Sequence, residues 1–124
     1  MLHDIIFAMG IGRIALGLIP FLAAKRSAAL LGFPAAHDTP TTRLMARFFG
    51  VRDVGLGILV FYALTHPASL LFILGFNATM DFGDLIAISI PLFKRQGIDR
   101  AAWTSALFAL PAAIAWLTVL SQAA

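Results

Sequence analysis

The chain has 124 residues, of which 60% are hydrophobic and only 12% charged, and its mean hydropathy is +0.93. A soluble domain has roughly a quarter of its residues charged, so nine Lys/Arg, six acids and three His cannot cover a surface that faces water, and lipid is the expected solvent. The absence of cysteine excludes disulfide frameworks, thiol redox chemistry and Cys-ligated metals; the basic residues are few and sit beside apolar runs, which fits membrane orientation and argues against nucleic acid despite a pI near 10.2.

In chain order, the start Met1-Leu2-His3-Asp4 has no basic n-region, and Arg13 lies inside the apolar stretch from about Ile5 to Ala24. This is unlike a cleavable signal peptide and is expected to be a retained first span. Ala24-Lys25-Arg26-Ser27-Ala28-Ala29-Leu30-Leu31 then reads as a short amphipathic helix in the membrane interface, following a bend at Pro20. Gly32 to Pro40 is loop, with Asp38 or Thr39 available to cap the next helix and Pro40 in its first turn. Further apolar stretches run from about Leu44 to Leu64, Ala68 to Phe93 and Ala101 to Leu120. Each is near the roughly 20 helical residues that cross about 30 Å of hydrocarbon. Asp99 is placed to cap the last of them.

The predicted fold is therefore all-α: one domain over residues 1–124, an integral-membrane four-helix bundle with a short interfacial helix after the first span. Lys25, Arg26, Arg43, Lys94, Arg95 and Arg100 fall on the side of the first and third connections. The positive-inside rule then puts both termini outside the cytoplasm, in what is expected to be a bacterial inner membrane. Trp103, Tyr62 and Trp116 are expected as interfacial aromatics. His3, His37 and His66 are expected at the surface as solvated side chains.

Six charged residues lie deeper: Arg13, Arg47, Arg52, Asp53, Asp81 and Asp84. Left unpaired at the centre of spans they would cost about 15–20 kcal/mol together, so they must pair or line a wet cavity. Arg47, nearer the interface, is equally able to snorkel to lipid phosphates. Asn77, Asp81 and Asp84 share one face of the third span by their i, i+4, i+7 spacing. Gly10, Arg13 and Gly17 share a face of the first, and Gly50, Asp53 and Gly57 a face of the second, where small residues permit close helix approach.

Ala46-Arg47-Phe48-Phe49-Gly50-Val51-Arg52-Asp53-Val54-Gly55-Leu56-Gly57, followed by Asp81-Phe82-Gly83-Asp84, resembles a group of small four-helix bacterial membrane proteins of unknown function, loosely similar to the DoxX-like families. The likeness covers essentially the whole chain, including Gly12-Arg13. It implies the architecture and no activity.

Three functions fit the residues. As an intramembrane acid-base enzyme (isomerase, cyclase or epoxide hydrolase type) acting on a lipophilic small molecule, Asp81, Asp84 and Asp53 would donate and accept protons. Arg13 and Arg52 would stabilise developing negative charge, and Asn77 would orient the reacting oxygen. As a small proton-coupled transporter, expected as a homodimer because four spans are few for a carrier, the same residues form a relay. As a structural or partner-binding subunit, they form an ion-pair network that fixes helix packing. No cofactor or metal is predicted: a magnesium site at Asp53, Asp81 and Asp84 would face competition from nearby Arg side chains, and neither His nor Cys supports a transition metal.

Overall fold

A computed structural model describes residues 1–124. It contains α1 (Leu2–Leu22), α2 (Ala24–Leu31), α3 (Pro40–Thr65), α4 (Leu70–Phe93) and α5 (Asp99–Ala123), with no strand. Four helices are long and apolar enough to cross a membrane: Leu2–Leu22, Pro40–Thr65, Pro67–Phe93 (α4 with the 3₁₀ turn before it) and Asp99–Ala123. The chain is an all-α bundle, and its outer surface is apolar: Leu22, Phe72, Phe93 and Leu107 point away from the interior, as side chains facing lipid tails do.

Local chemistry sets the breaks. The backbone leaves helical geometry at Ala23, between α1 and α2, so the amphipathic segment forms its own helix. That helix ends at Gly32, whose φ of 96° lies in the left-handed region that favours glycine. There Phe33 N–H donates to the Ala28 carbonyl and Gly32 N–H to that of Ala29, both at 3.1 Å, closing a Schellman turn. Thr39, and not Asp38, caps α3: its Oγ1 accepts from Thr42 N–H at 3.2 Å, and Thr39 N–H donates back to Thr42 Oγ1 at 2.9 Å. Asp99 is not the cap of α5. It occupies the first turn, after Ile98, where a carboxylate still meets the positive end of the helix dipole.

The four long helices form two tight pairs. α1 runs antiparallel along α3 so closely that a Cβ added to Gly17 would lie 2.7 Å from the Gly50 carbonyl oxygen, and one on Gly57 would lie 2.9 Å from that of Gly10. α5 packs along α4 in the same antiparallel way, while α3 and α4, although consecutive in the chain, meet sparsely. An apolar core joins the two pairs at the end that carries both termini: Ile6 from α1, Val60 and Ala63 from α3, Leu74 and Ala78 from α4, and Trp116 from α5. Trp116 is thus an interior residue, 2% exposed, and not the interfacial aromatic expected of it. Trp103 and Tyr62 do face outward. At the opposite end, which α2 closes, small residues such as Ala24, Ser27, Ala101 and Ala102 are buried.

Candidate functional site

Between the apolar core and the α2 end lies a polar layer built from three helices. Arg13 of α1 donates through Nη1 and Nη2 to the two carboxyl oxygens of Asp81 on α4, both at 2.8 Å. Arg52 of α3 does the same to Asp84 on α4, both at 2.7 Å. Each is a fork-to-fork pair, the geometry in which guanidinium and carboxylate bond most strongly. The spacing explains the register: Asp81 and Asp84 are three residues apart, hence on adjacent turns of one helix face, and each meets an arginine from a different helix of the facing pair.

Asp53 sits between the two forks. Its Oδ1 accepts from Arg52 Nη2 at 3.2 Å, and Arg13 Nη2 stands 3.6 Å from the same oxygen, too long for a hydrogen bond. Both nitrogens already donate to α4 at shorter distance. Asp53 therefore bridges the forks as the least well partnered of the three acids.

The layer is graded in depth. The side chains of Arg13, Asp53 and Asp81 are at most 9% exposed, whereas Arg52 and Asp84, on the sparse α3–α4 seam, are 27% and 24% exposed. Aromatic faces line the cations: the Arg13 guanidinium lies 5.6 Å from the Trp116 ring centre and that of Arg52 lies 4.7 Å from Phe49, distances at which a ring attracts a cation. Sequence reasoning did not find Trp116 and Phe49. The signal available was an aromatic three residues before Arg52 on one helix, which i, i+3 contact brings over the guanidinium; nothing comparable marks Trp116.

Of the residues singled out in the sequence, Arg13, Arg52, Asp53, Asp81 and Asp84 converge. Asn77 is fully buried one turn from Asp81 but takes no bond from the network: its Nδ2 donates to the Ile73 carbonyl at 3.0 Å, and its Oδ1 has no partner. The Nε atoms of Arg13 and Arg52 are likewise buried and unpartnered. Arg47 is exposed on α3 and pairs with no carboxylate, in keeping with the snorkelling alternative. The three histidines are also exposed. No group of three or more His, Asp or Glu side chains is arranged to hold a metal. The two pockets that stand out are shallow and apolar, about 220 Å³ beside Leu2, His3 and Pro67 and about 130 Å³ beside Leu18, Phe21, Val51 and Val54, and no residue of the polar layer lines either.

Compared with known protein families, residues 10–120 match a domain of unknown function, DUF4267. This agrees with the expectation of a small membrane protein of unknown function, and it provides no link to the DoxX-like families. No curated protein and no solved structure matches the chain.

Proposed function

Given that the chain belongs to the DUF4267 family, we propose that its Arg/Asp layer is a latch that docks the α1–α3 pair onto the α4–α5 pair, in a small membrane subunit whose helix arrangement serves partner binding. One observation carries the reading: both bidentate pairs, Arg13–Asp81 and Arg52–Asp84, cross from one helix pair to the other, where few other contacts join α3 to α4. Breaking one member of a buried pair leaves a stranded charge at a cost of about 3–5 kcal/mol, whereas replacing both members by apolar groups is often neutral. Arg13→Met and Asp81→Leu, each alone, are expected to lower unfolding stability in detergent by about that much, and the double variant to recover most of it. Losses that simply add in the double variant would sink the latch.

The exposure of Arg52 and Asp84 on the α3–α4 seam favours a second reading. A lipophilic small molecule in the bilayer could reach this edge of the layer, where an acid-base enzyme would use Asp84, with Asp81 and Asp53 behind it, as proton donor and acceptor. Arg52 and Arg13 would steady negative charge on the substrate, and Asn77 would orient it. Native mass spectrometry in nanodiscs separates the two: a bound non-lipid molecule that disappears in Asp84→Asn supports the enzyme, and ordinary lipid alone in both supports the latch.

For orientation, we propose that both termini lie outside the cytoplasm of a bacterial inner membrane, because Lys25, Arg26, Lys94, Arg95 and Arg100 are all exposed at the α2 end. The chain lacks cysteine, so a cysteine introduced at His3 and probed with an impermeant thiol reagent reads the side directly.

A further inference from the structure

The polar layer contains three carboxyl groups and two guanidinium groups, Asp53, Asp81 and Asp84 against Arg13 and Arg52. With every group ionised it would carry one uncompensated negative charge at mid-bundle depth. Nothing else supplies the missing positive charge. Around Asp53, α1 contributes Arg13, α3 contributes Arg52, and α4 contributes Asp81 and Asp84 as the partners of those arginines; Trp116 of α5, against Arg13, is neutral, and Arg47, Lys25, Arg26 and Arg100 all lie exposed, outside the layer.

The hydrogen bonds show where the imbalance falls. Asp81 and Asp84 each receive two guanidinium N–H groups. Asp53 receives one longer bond on Oδ1, from the Arg52 Nη2 nitrogen that also donates to Asp84, and none on Oδ2. A buried carboxylate that accepts only one long hydrogen bond, from a cation already committed to another acid, is costly to keep ionised, and the simplest positive charge that fits without displacing either fork is a proton.

We propose that Asp53 is a proton-binding site that holds its proton at neutral pH, on Oδ2, and that this proton makes the latch electrically neutral. The inference deepens the latch reading and rests on it. With Asp53 neutral, Arg13 and Arg52 are committed to α4. When Asp53 releases the proton, its carboxylate competes with Asp81 for Arg13 Nη2 and with Asp84 for Arg52 Nη2, which weakens the contact between the two helix pairs. The site thereby links proton occupancy to helix docking.

Infrared spectroscopy of the full chain in nanodiscs at neutral pH tests the proton itself, independently of whether the latch stabilises the fold. The expected result is a carbonyl stretch of a protonated carboxyl group that is lost in Asp53→Asn, shifted in Asp53→Glu and unchanged in Asp4→Asn, which alters an exposed acid. Absence of the band in the wild type, or its survival in Asp53→Asn, overturns the proposal. A second measurement needs no variant: in ¹³C-aspartate-labelled wild-type protein, one of the six acids is expected to stay protonated at neutral pH and to lose its proton only on alkalisation. Titration of all six in the acid range overturns it equally. If the proton is found while the charge-removal variants show no loss of stability, the latch fails and the proton site stands.

Discussion

Asp38 and Asp53 are both aspartates beside arginines, and water separates their behaviour. Asp38, in the loop before α3, accepts two bonds from Arg43, each at 2.7 Å, with Lys25 3.9 Å away. The hydrogen bonds from Arg43 hold its carboxyl below the usual aspartate range, against a smaller opposing effect of desolvation. Because the folded value lies below the unfolded one, whatever the pair contributes to anchoring the loop is fully present at neutral pH and is lost as pH falls through the folded value. A carboxyl NMR titration is expected to show Asp38 as an early-ionising acid that returns to the ordinary range in Arg43→Gln. An unchanged midpoint would mean that the ion pair does not persist in solution. Screened by water, such a surface pair adds little stability. Asp53 is buried within the bundle, its side chain only 9% exposed, so the same side chain becomes a question of charge balance.

At the scale of helices, the close approach of α1 and α3 is made by backbone against backbone. A side chain on Gly50 would collide with the Gly17 carbonyl and the Phe21 backbone, whereas Gly55, on the same helix, has open space around it. Gly50→Leu is expected to destabilise the bundle by about 1–3 kcal/mol or more through overpacking, and Gly55→Leu to leave it nearly unchanged. Denaturant titration in detergent checks both, and equal effects would show that the glycines are not interface positions. The two faces, though not their meeting, were legible in the sequence, because three- and four-residue spacing placed Gly10, Arg13 and Gly17 on one and Gly50, Asp53 and Gly57 on the other. The four spans and the separate amphipathic helix were legible for the same reason: they follow from apolar length and local pattern. What spacing cannot give is which faces meet across the chain. Trp116 lies near a helix end, where interfacial and interior aromatics look alike in sequence, and only the arrival of Arg13 from α1 makes it part of the polar layer. Arg47 and Arg52 are likewise five residues apart on one helix, and the approach of α4 decides that one pairs and the other faces outward.

For the whole molecule, the positions of the apolar core and the polar layer determine how the two helix pairs can move. The core lies on the terminal side of the layer, with Trp116 at the boundary between them: Ile6 precedes Arg13, Val60 follows Asp53, Leu74 precedes Asp81, and the antiparallel helices bring these residues to one end. On the other side the pairs are bridged mainly by small residues and by α2. Removing part of the latch should therefore open the α2 end about a fulcrum in the core, a hinge motion between two packed bodies. The absence of native cysteine makes paired spin labels straightforward at exposed sites on α3 and α4: Met45 with Phe93 at the α2 end, and Ile58 with Phe72 toward the terminal end. Arg52→Gln is expected to lengthen and broaden the Met45–Phe93 distance by a few ångströms while leaving Ile58–Phe72 unchanged. Raising the pH of the wild type should shift the same distance in the same direction, because an ionised Asp53 draws Arg52 from Asp84 just as the substitution removes it. Equal changes at both ends would describe a bundle that loosens as a whole, and no change at either would place the stability of the α3–α4 seam outside the ion pairs altogether.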